Sequence, residues 1–184
     1  MNLLLYFYLI HFLADYPLQP NKLVEYKHKT YLGVLLHCLI HLAVLVAVLS
    51  PFLHLKSVWI GITVIFVTHN IIDQIKVKLD KKHPKWKLQL YIGDQVTHLL
   101  ILTGVAFYIG NVTPNTSLDP ISLYADKTFI SYILILVLST YFYDVTRYFI
   151  LTRKKKVPYK RDYKTMIRNV FIVSIAFAIY WIAY

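Results

Sequence analysis

The sequence is poor in cysteine and in charge. One of its 184 residues is cysteine and 16% are charged, while 58% are hydrophobic. The single cysteine, Cys38, excludes an internal disulfide and any zinc cluster built from several thiolates, so a metal site would have to rest on imidazole and carboxylate ligands. The low charge and the long apolar runs exclude an ordinary soluble domain. They predict an integral membrane protein that forms a single domain, residues 1–184.

Acidic residues are scarce. Lys and Arg number 20 against 9 for Asp and Glu, which gives a formal net charge of +11. Such an excess can indicate nucleic-acid binding, but here the basic residues are confined to loops between apolar segments. That distribution is typical of membrane topology and of contact with anionic lipid. We therefore expect membrane lipid, and no nucleic acid, as a partner.

The apolar runs predict an all-α bundle of about six transmembrane helices. We place these at about residues 3–16, 31–49, 58–75, 90–109, 128–151 and 165–184. The first is shorter than the ~20 residues that a spanning helix usually needs, and Pro17 and Pro20 should end it. A secretory signal is the alternative for this segment. However, no basic residue precedes its apolar run, and two ionisable residues interrupt it.

The basic residues fall on alternate loops. Three lie between the first and second helices, six between the third and fourth, and nine around the loop between the fifth and sixth. The other loops keep only Lys56 and Lys127. The positive-inside rule then predicts a multi-pass protein of the cell membrane, with the three basic loops in the cytoplasm and both termini outside.

Four pairs of potential metal ligands recur with one spacing. The two members of a pair are four positions apart, so on a helix they lie one turn apart on a single face. The pairs are His11 and Asp15, His37 and His41, His69 and Asp73, and Asp94 and His98. An aspartate at mid-membrane costs about 2.5 to 3.5 kcal/mol, so three of them at one depth need compensation.

Divalent metal is the compensation that these side chains predict. Five imidazoles and three carboxylates suit one or two ions, with zinc as the first candidate and manganese or iron also accepted by this ligand set. A network of interhelical hydrogen bonds is the alternative. The predicted helix directions put every pair in the cytoplasmic half of the bundle. The three aspartates and His37 should form a shallow layer, and the other four histidines a layer about 6 Å deeper.

Further polar residues lie near the pairs. Gln19, Gln74 and Gln95 adjoin or follow ligands, and we expect them either to hydrogen-bond ligand atoms or to face water at helix ends. Asp144 and Arg147 are three residues apart and can pair on one helical face. The candidate cations for binding an anionic substrate are Lys76, Arg147 and Arg168. The alternative for the two arginines is an ion pair that holds the last two helices together.

The four pairs lie within motifs that resemble a known family. The motifs are HFLADYPLQ at residues 11–19, LLHCLIH at 35–41, THNIIDQIK at 68–76 and GDQVTHLL at 93–100. In this order they resemble the membrane family known as domain of unknown function 3307, over about the first hundred residues. More distantly, the sequence is similar to membrane-bound metal-dependent hydrolases of the YdjM type. The resemblance implies a membrane metal site and, through the more distant likeness, hydrolysis.

These features predict a membrane-embedded metal-dependent hydrolase that cleaves a lipid phosphate, a lipid ester or a related amphiphile at the cytoplasmic leaflet. A dinuclear centre would activate water and clamp the reacting oxygens. Asp15, Asp73 and Asp94 are the catalytic candidates, one of them as general base. Two alternatives are a transporter for divalent metal or protons and a di-iron lipid oxygenase. A transporter should carry polar residues along its outer half, where the first four helices are nearly all apolar.

Overall fold

The computed structural model describes residues 3–113, 126–152 and 159–183, so the basic run at 153–156 lies outside the described residues. Every secondary-structure element in the described ranges is helical, which confirms the predicted all-α fold. The α-helices of these ranges are α1 (Leu3–Asp15), α2 (Asn21–Lys29), α3 (Tyr31–Val48), α4 (Lys56–Lys82), α5 (Lys87–Val112), α6 (Lys127–Val137), α7 (Tyr143–Leu151) and α8 (Tyr163–Ala183).

Five helical segments are long and apolar enough to cross a membrane. They are Tyr31–Val48, Lys56–Lys82, Pro84–Val112, Lys127–Leu151 and Tyr163–Ala183. The fourth consists of α6, a π-helical turn at Leu138–Phe142 and α7. Helix α1 is also apolar but has only 13 residues, about 20 Å, which is short of the ~30 Å hydrocarbon core of a bilayer. The expectation of about six spans therefore corresponds to five full-length helices and one short one.

The lysine-rich segment between the third and fourth predicted spans is more helical than expected. Helix α4 continues to Lys82 and α5 begins at Lys87, well inside the segment that we predicted as a loop. Lysine has a good helix propensity, so a run of lysines need not end a helix. The interruption comes at Pro84, where a single 3₁₀ turn joins the two helices.

A helix also replaces the basic loop that we predicted between the first two spans. Helix α1 ends before Pro17, and α2 begins directly after Pro20. Leu23 and Lys27, one turn apart, are the buried residues of α2, while Lys22 lies exposed on its other side. The prediction of a loop is therefore wrong, because a nine-residue amphipathic helix is too short and too charged to register as an apolar run.

Helices α1, α3, α4 and α5 enclose the main apolar core. Its fully buried side chains include Phe7, Leu45, Ile62 and Ile109. Helices α4 and α5 approach closely at Gly61, where a Cβ atom would lie 2.8 Å from side-chain atoms of both Val105 and Ile109. Helix α6 packs on the outside of α1 through a second apolar cluster. The polar pairs described below lie at one end of this four-helix core.

Candidate metal centre

The eight predicted ligands converge between α1, α3, α4 and α5. Because each pair spans one helical turn, both of its members face the other three helices. Every one of these side chains is at most 10% exposed. The converging residues are His11 and Asp15 from α1, His37 and His41 from α3, His69 and Asp73 from α4, and Asp94 and His98 from α5.

A first group of ligands surrounds the carboxylate of Asp15. Its Oδ1 atom lies 2.9 Å from Nε2 of His41 and 3.1 Å from Nε2 of His37. Nε2 of His37 lies in turn 3.3 Å from Nε2 of His69. One ligand atom from each of these four residues lies within 4.8 Å of the others. Three imidazoles and one carboxylate form a set that suits a four-coordinate zinc-like ion.

Asp73, Asp94 and His98 form a second group, whose ligand atoms also lie within 4.8 Å of one another. Nε2 of His98 is 3.4 Å from Oδ1 of Asp94 and 3.7 Å from Oδ1 of Asp73. Within the described parts of the chain, Oδ1 of Asp94 and Nε2 of His98 are buried without a hydrogen-bond partner. Leaving a buried polar atom unpaired costs about 1–3 kcal/mol. A cation bound between these atoms would remove that cost, so the residues fit a metal ion.

Asp73 joins the two groups. Its Oδ2 atom lies 3.5 Å from Nε2 of His37 and 3.6 Å from Nε2 of His69, while its Oδ1 atom faces His98. His11 packs against the same cluster, with its ring centroid 5.1 Å from that of His98. The eight side chains thus form one connected cluster. The two predicted layers touch directly, since His37 of the shallow layer contacts His69 of the deep one.

Lys27, which we predicted in a loop, lies inside the cluster. It is 7% exposed, and its Nζ atom lies 2.6 Å from Oδ2 of Asp73. Burial alone would lower the pKa of Lys27, but the carboxylates of Asp73, Asp15 and Asp94 outweigh burial and raise the pKa above its usual value. The short distance between Nζ and Oδ2 is that of an ion pair between an ammonium and a carboxylate. Its one-turn spacing from Leu23 was the only signal of burial in the sequence.

Lys27 reaches Asp73 because α2 packs tightly against the start of α3. A Cβ atom at Gly33 would lie 2.3 Å from backbone atoms of Tyr26 and 2.5 Å from the backbone nitrogen of Lys27. Thr30, between the two helices, caps α3 by accepting a hydrogen bond on Oγ1 from the backbone nitrogen of Gly33 at 3.0 Å. Glycine and threonine together therefore fix the sharp turn that directs α2 towards the cluster.

Gln95 binds both aspartates at the ends of the cluster. Its Nε2 atom donates hydrogen bonds to Oδ2 of Asp15 at 3.0 Å and to Oδ2 of Asp94 at 3.3 Å. Its Oε1 atom lies 3.3 Å from Nε2 of His11. The amide thus connects α5 to α1 and orients two carboxylates, as outer-shell groups of metal sites commonly do.

Gln19 and Gln74, the other two amides predicted near the ligands, have different kinds of partner. Nε2 of Gln19 lies 2.7 Å from Nδ1 of His37, so Gln19 contacts a candidate ligand. Gln74 instead donates to Oδ1 of Asn70 on its own helix, and the Nδ2 atom of Asn70 donates to Sγ of Cys38 at 3.6 Å. Gln74 therefore supports a neighbouring hydrogen-bond chain.

Cys38, which the sequence analysis left out of the candidate ligands, lies beside the cluster. Its thiol is fully buried, and its sulfur forms a further group with ligand atoms of His69 and Asp73 within 4.8 Å. A single thiolate beside imidazole and carboxylate is an acceptable zinc ligand. The recurring spacing of four does not include Cys38, because neighbouring residues of a helix point in different directions.

The structure pairs the predicted substrate-binding cations with other side chains. Nζ of Lys76 lies 3.4 Å from Oδ2 of Asp80, one turn further along α4. The guanidinium of Arg168 is exposed and donates to Oδ1 of Asn169. Both contacts lie outside the eight-residue cluster.

The predicted ion pair between Asp144 and Arg147 is wrong. Arg147 pairs with Asp162, at 2.9 Å between NH1 and Oδ2, whereas Asp144 is buried and accepts a hydrogen bond from the hydroxyl of Tyr159. Hydrogen bonds from Thr165 and from Arg147 lower the pKa of Asp162. Arg147 thus ties α7 to the start of α8, which agrees with the structural alternative for this residue.

A small cavity adjoins the histidines on the side of the apolar core. Its volume is about 10 Å³, close to the lower limit for one water molecule. Its polar wall is formed by His11, His41, His69 and His98, and its apolar wall includes Phe7, Leu45, Ile65 and Leu102. The cavity is therefore at the lower limit for one water molecule and is far too small for a lipid.

The fold and the cluster define a polytopic helical membrane protein with a candidate metal centre between α1, α3, α4 and α5. Residues 3–123 match the family described as protein of unknown function (DUF3307), and the chain belongs to that family. The match covers α1 to α5 and hence all eight candidate ligands. No curated protein and no solved structure matches the chain. The predicted family is thereby confirmed, and the more distant likeness to YdjM-type hydrolases stays a prediction.

Proposed function

We propose that this protein is a membrane-embedded hydrolase that depends on divalent metal and cleaves a phosphate or ester bond of a lipid or lipid-linked molecule. One observation carries the proposal: four helices bring together five imidazoles and three carboxylates, and some of their buried atoms have no hydrogen-bond partner in the described part of the chain. A divalent ion held by such ligands supplies a Lewis acid that activates water near neutral pH. Zinc is the first candidate, and manganese and iron accept the same ligands.

The two groups of ligands suggest a division of roles. Asp15 and the three imidazoles around it form the more complete ligand set. In the second group, Gln95 donates a hydrogen bond to Oδ2 of Asp94, while Oδ1 of Asp94 has no hydrogen-bond partner among the described residues. Asp94 would therefore act as the general base whenever its Oδ1 atom is free to accept a proton from water.

Exposure indicates where a substrate would approach. Asp15 and Asp94 are the most exposed of the eight side chains, at 10% and 7%. They lie at the end of α1 and near the start of α5, at the end of the bundle where Lys27 of α2 reaches Asp73. The lysines of α2 and of the link between α4 and α5 support an orientation in which this side faces the cytoplasm. Such lysines also favour an anionic substrate or headgroup.

The apolar wall of the small cavity favours an enzyme over a transporter. A transport path would continue from the histidines through the rest of the bundle, and polar groups should line it. In the described structure the cluster is followed by Phe7, Leu45, Ile65 and Leu102. A di-iron oxygenase would use the same ligands, and the identity of the bound metal distinguishes it from a hydrolase.

The test uses full-length protein in lipid nanodiscs. Release of inorganic phosphate from lipid phosphates and of fatty acid from lipid esters is measured before chelation, after chelation and after addition of zinc, manganese or iron(II). We expect hydrolysis of one class to vanish with the chelator and to return with metal. Asp94→Asn should lower the rate about 10²–10⁴-fold if Asp94 is the base.

The matched control is Asp80→Asn, which removes a carboxylate of α4 that pairs with Lys76 outside the cluster. Its rate should equal that of the wild type. Metal-loaded protein that hydrolyses neither class, or hydrolysis that persists without metal, would contradict the proposal.

A further inference from the structure

The cluster carries an uneven set of charges. Three carboxylates, Asp15, Asp73 and Asp94, face one ammonium, Lys27, and the histidines count as neutral when they act as ligands. The formal charge before metal binds is therefore minus two. A charge that is not balanced is costly in a buried site within a membrane protein. One divalent ion would bring the cluster to neutrality, whereas two would leave an excess of two positive charges.

The ammonium of Lys27 binds the oxygen through which Asp73 would bridge two ions. Its Nζ atom lies 2.6 Å from Oδ2 of Asp73. The same oxygen lies 3.5 Å from Nε2 of His37 and 3.6 Å from Nε2 of His69. Oδ1 of Asp73 faces His98 of the second group, so an Asp73 carboxylate that bridged two ions would need Oδ2 for the ion near His37 and His69. The ammonium already binds that oxygen, and Asp73 is not free to bridge.

The fold builds this placement into the chain. Leu23, one turn before Lys27, is buried and fixes the same face of α2 against the bundle. Gly33 allows the end of α2 to pack on α3 without a gap. The packing of α2 against the bundle therefore fixes the position of Lys27 in the cluster.

We infer that the ammonium group of Lys27, through its contact with Asp73, takes the place of a second divalent ion in this centre and limits the centre to one ion. The inference rests on the proposed metal site and deepens the proposed function. The reaction would then use one metal ion and one ammonium, instead of two metal ions, to neutralise an anionic substrate. A dinuclear centre, which the ligand count alone predicts, is replaced by a mononuclear one.

The test measures zinc bound per chain and zinc affinity. Purified full-length protein is dialysed against excess zinc, freed of loosely bound metal and analysed by mass spectrometry, and affinity is measured by competition with a chelator. The wild type should bind one zinc ion. Lys27→Glu makes the formal charge of the cluster minus four and should bind two. Lys27→Met removes the competing ammonium and should bind its first zinc ion at least tenfold more tightly than the wild type.

Two variants serve as controls. Lys29→Glu changes an exposed lysine on the same helix and should bind one ion with wild-type affinity, and Lys27→Arg retains the cation and should also bind one ion. Two ions in the wild type would overturn the inference and leave the proposed function standing, whereas a wild type that binds none of zinc, manganese and iron(II) would overturn the proposed function itself. One ion in Lys27→Glu would also overturn the inference. If Lys27→Glu does not fold, Lys27→Met decides: unchanged or weaker affinity overturns the inference.

Discussion

Gly33, at the start of α3, packs directly against the peptide group of Tyr26 near the end of α2. A Cβ atom at position 33 would lie 2.3 Å from both the carbonyl carbon and the oxygen of Tyr26. Backbone atoms cannot yield as the end of a flexible side chain can, so only glycine fits at this contact. The contact holds α2 where Lys27 reaches Asp73, and it thereby links a local packing detail to the charge of the candidate metal centre.

Gly33→Ala should therefore destabilise the protein. The added methyl group would push α2 away from α3, and overpacking of this kind costs about 1–3 kcal/mol. For a chain of this size the midpoint of thermal unfolding in detergent should fall by about 2–4 °C per kcal/mol. The control is Gly104→Ala on α5, where a Cβ atom meets nothing within 4 Å and alanine should be neutral or slightly stabilising. Equal midpoints for the two variants would show that α2 is not held by this contact.

Removal of a candidate ligand should lower metal content. Asp73→Asn and His41→Ala each remove one ligand from the cluster and change its charge or geometry, so the purified variants should hold less metal than the wild type. Inductively coupled plasma mass spectrometry measures the loss. Asp80→Asn on the same helix as Asp73 should retain wild-type content. Full occupancy in all single variants of the eight residues would favour a plain hydrogen-bond network.

Gln95 should influence the metal without binding it. Gln95→Leu removes the hydrogen bonds to Asp15 and Asp94 but leaves all eight candidate ligands in place. Loss of such an orienting group typically weakens metal binding about 10–100-fold. Competition with a chromophoric chelator measures the change. Gln89→Leu, an exposed residue on the same helix, should have the affinity of the wild type, and an equal affinity for Gln95→Leu would mean that the amide does not orient the ligands.

The eight converging residues could be found from the sequence because their signal is local. A spacing of four on a helix fixes two side chains on one face whatever the rest of the fold does. Four such pairs in apolar helices are expected to face one another, because lipid offers polar side chains no partners. Short amphipathic segments carry no comparable signal. Lys27 reaches Asp73 only through the packing of α2 on α3, so its role depended on a tertiary contact that no periodicity shows.

Competition between partners explains the error at Arg147. Asp144 and Arg147 have a spacing that permits a pair on one helix, and such a pair contributes only about 0.2–0.5 kcal/mol. A partner from another segment can easily outweigh so small a gain. Asp162, just before α8, forms the ion pair with Arg147, and the hydroxyl of Tyr159 donates a hydrogen bond to Asp144. No pattern in the sequence ranks these partners, because the choice depends on where Tyr159 and Asp162 lie in the folded protein.

The two ends of α4 allow a test of the predicted orientation. The helix has 27 residues and is about 40 Å long, so both of its ends should emerge from a hydrocarbon core of ~30 Å. Because the basic residues lie on alternate loops, we expect Lys82 in the cytoplasm and Lys56 outside. In intact cells an impermeant maleimide should label Lys56→Cys and leave Lys82→Cys unlabelled until the cells are permeabilised. The native Cys38 is fully buried, so it should add no background. Labelling of Lys82→Cys alone in intact cells would reverse the orientation and place the candidate metal centre on the outer side.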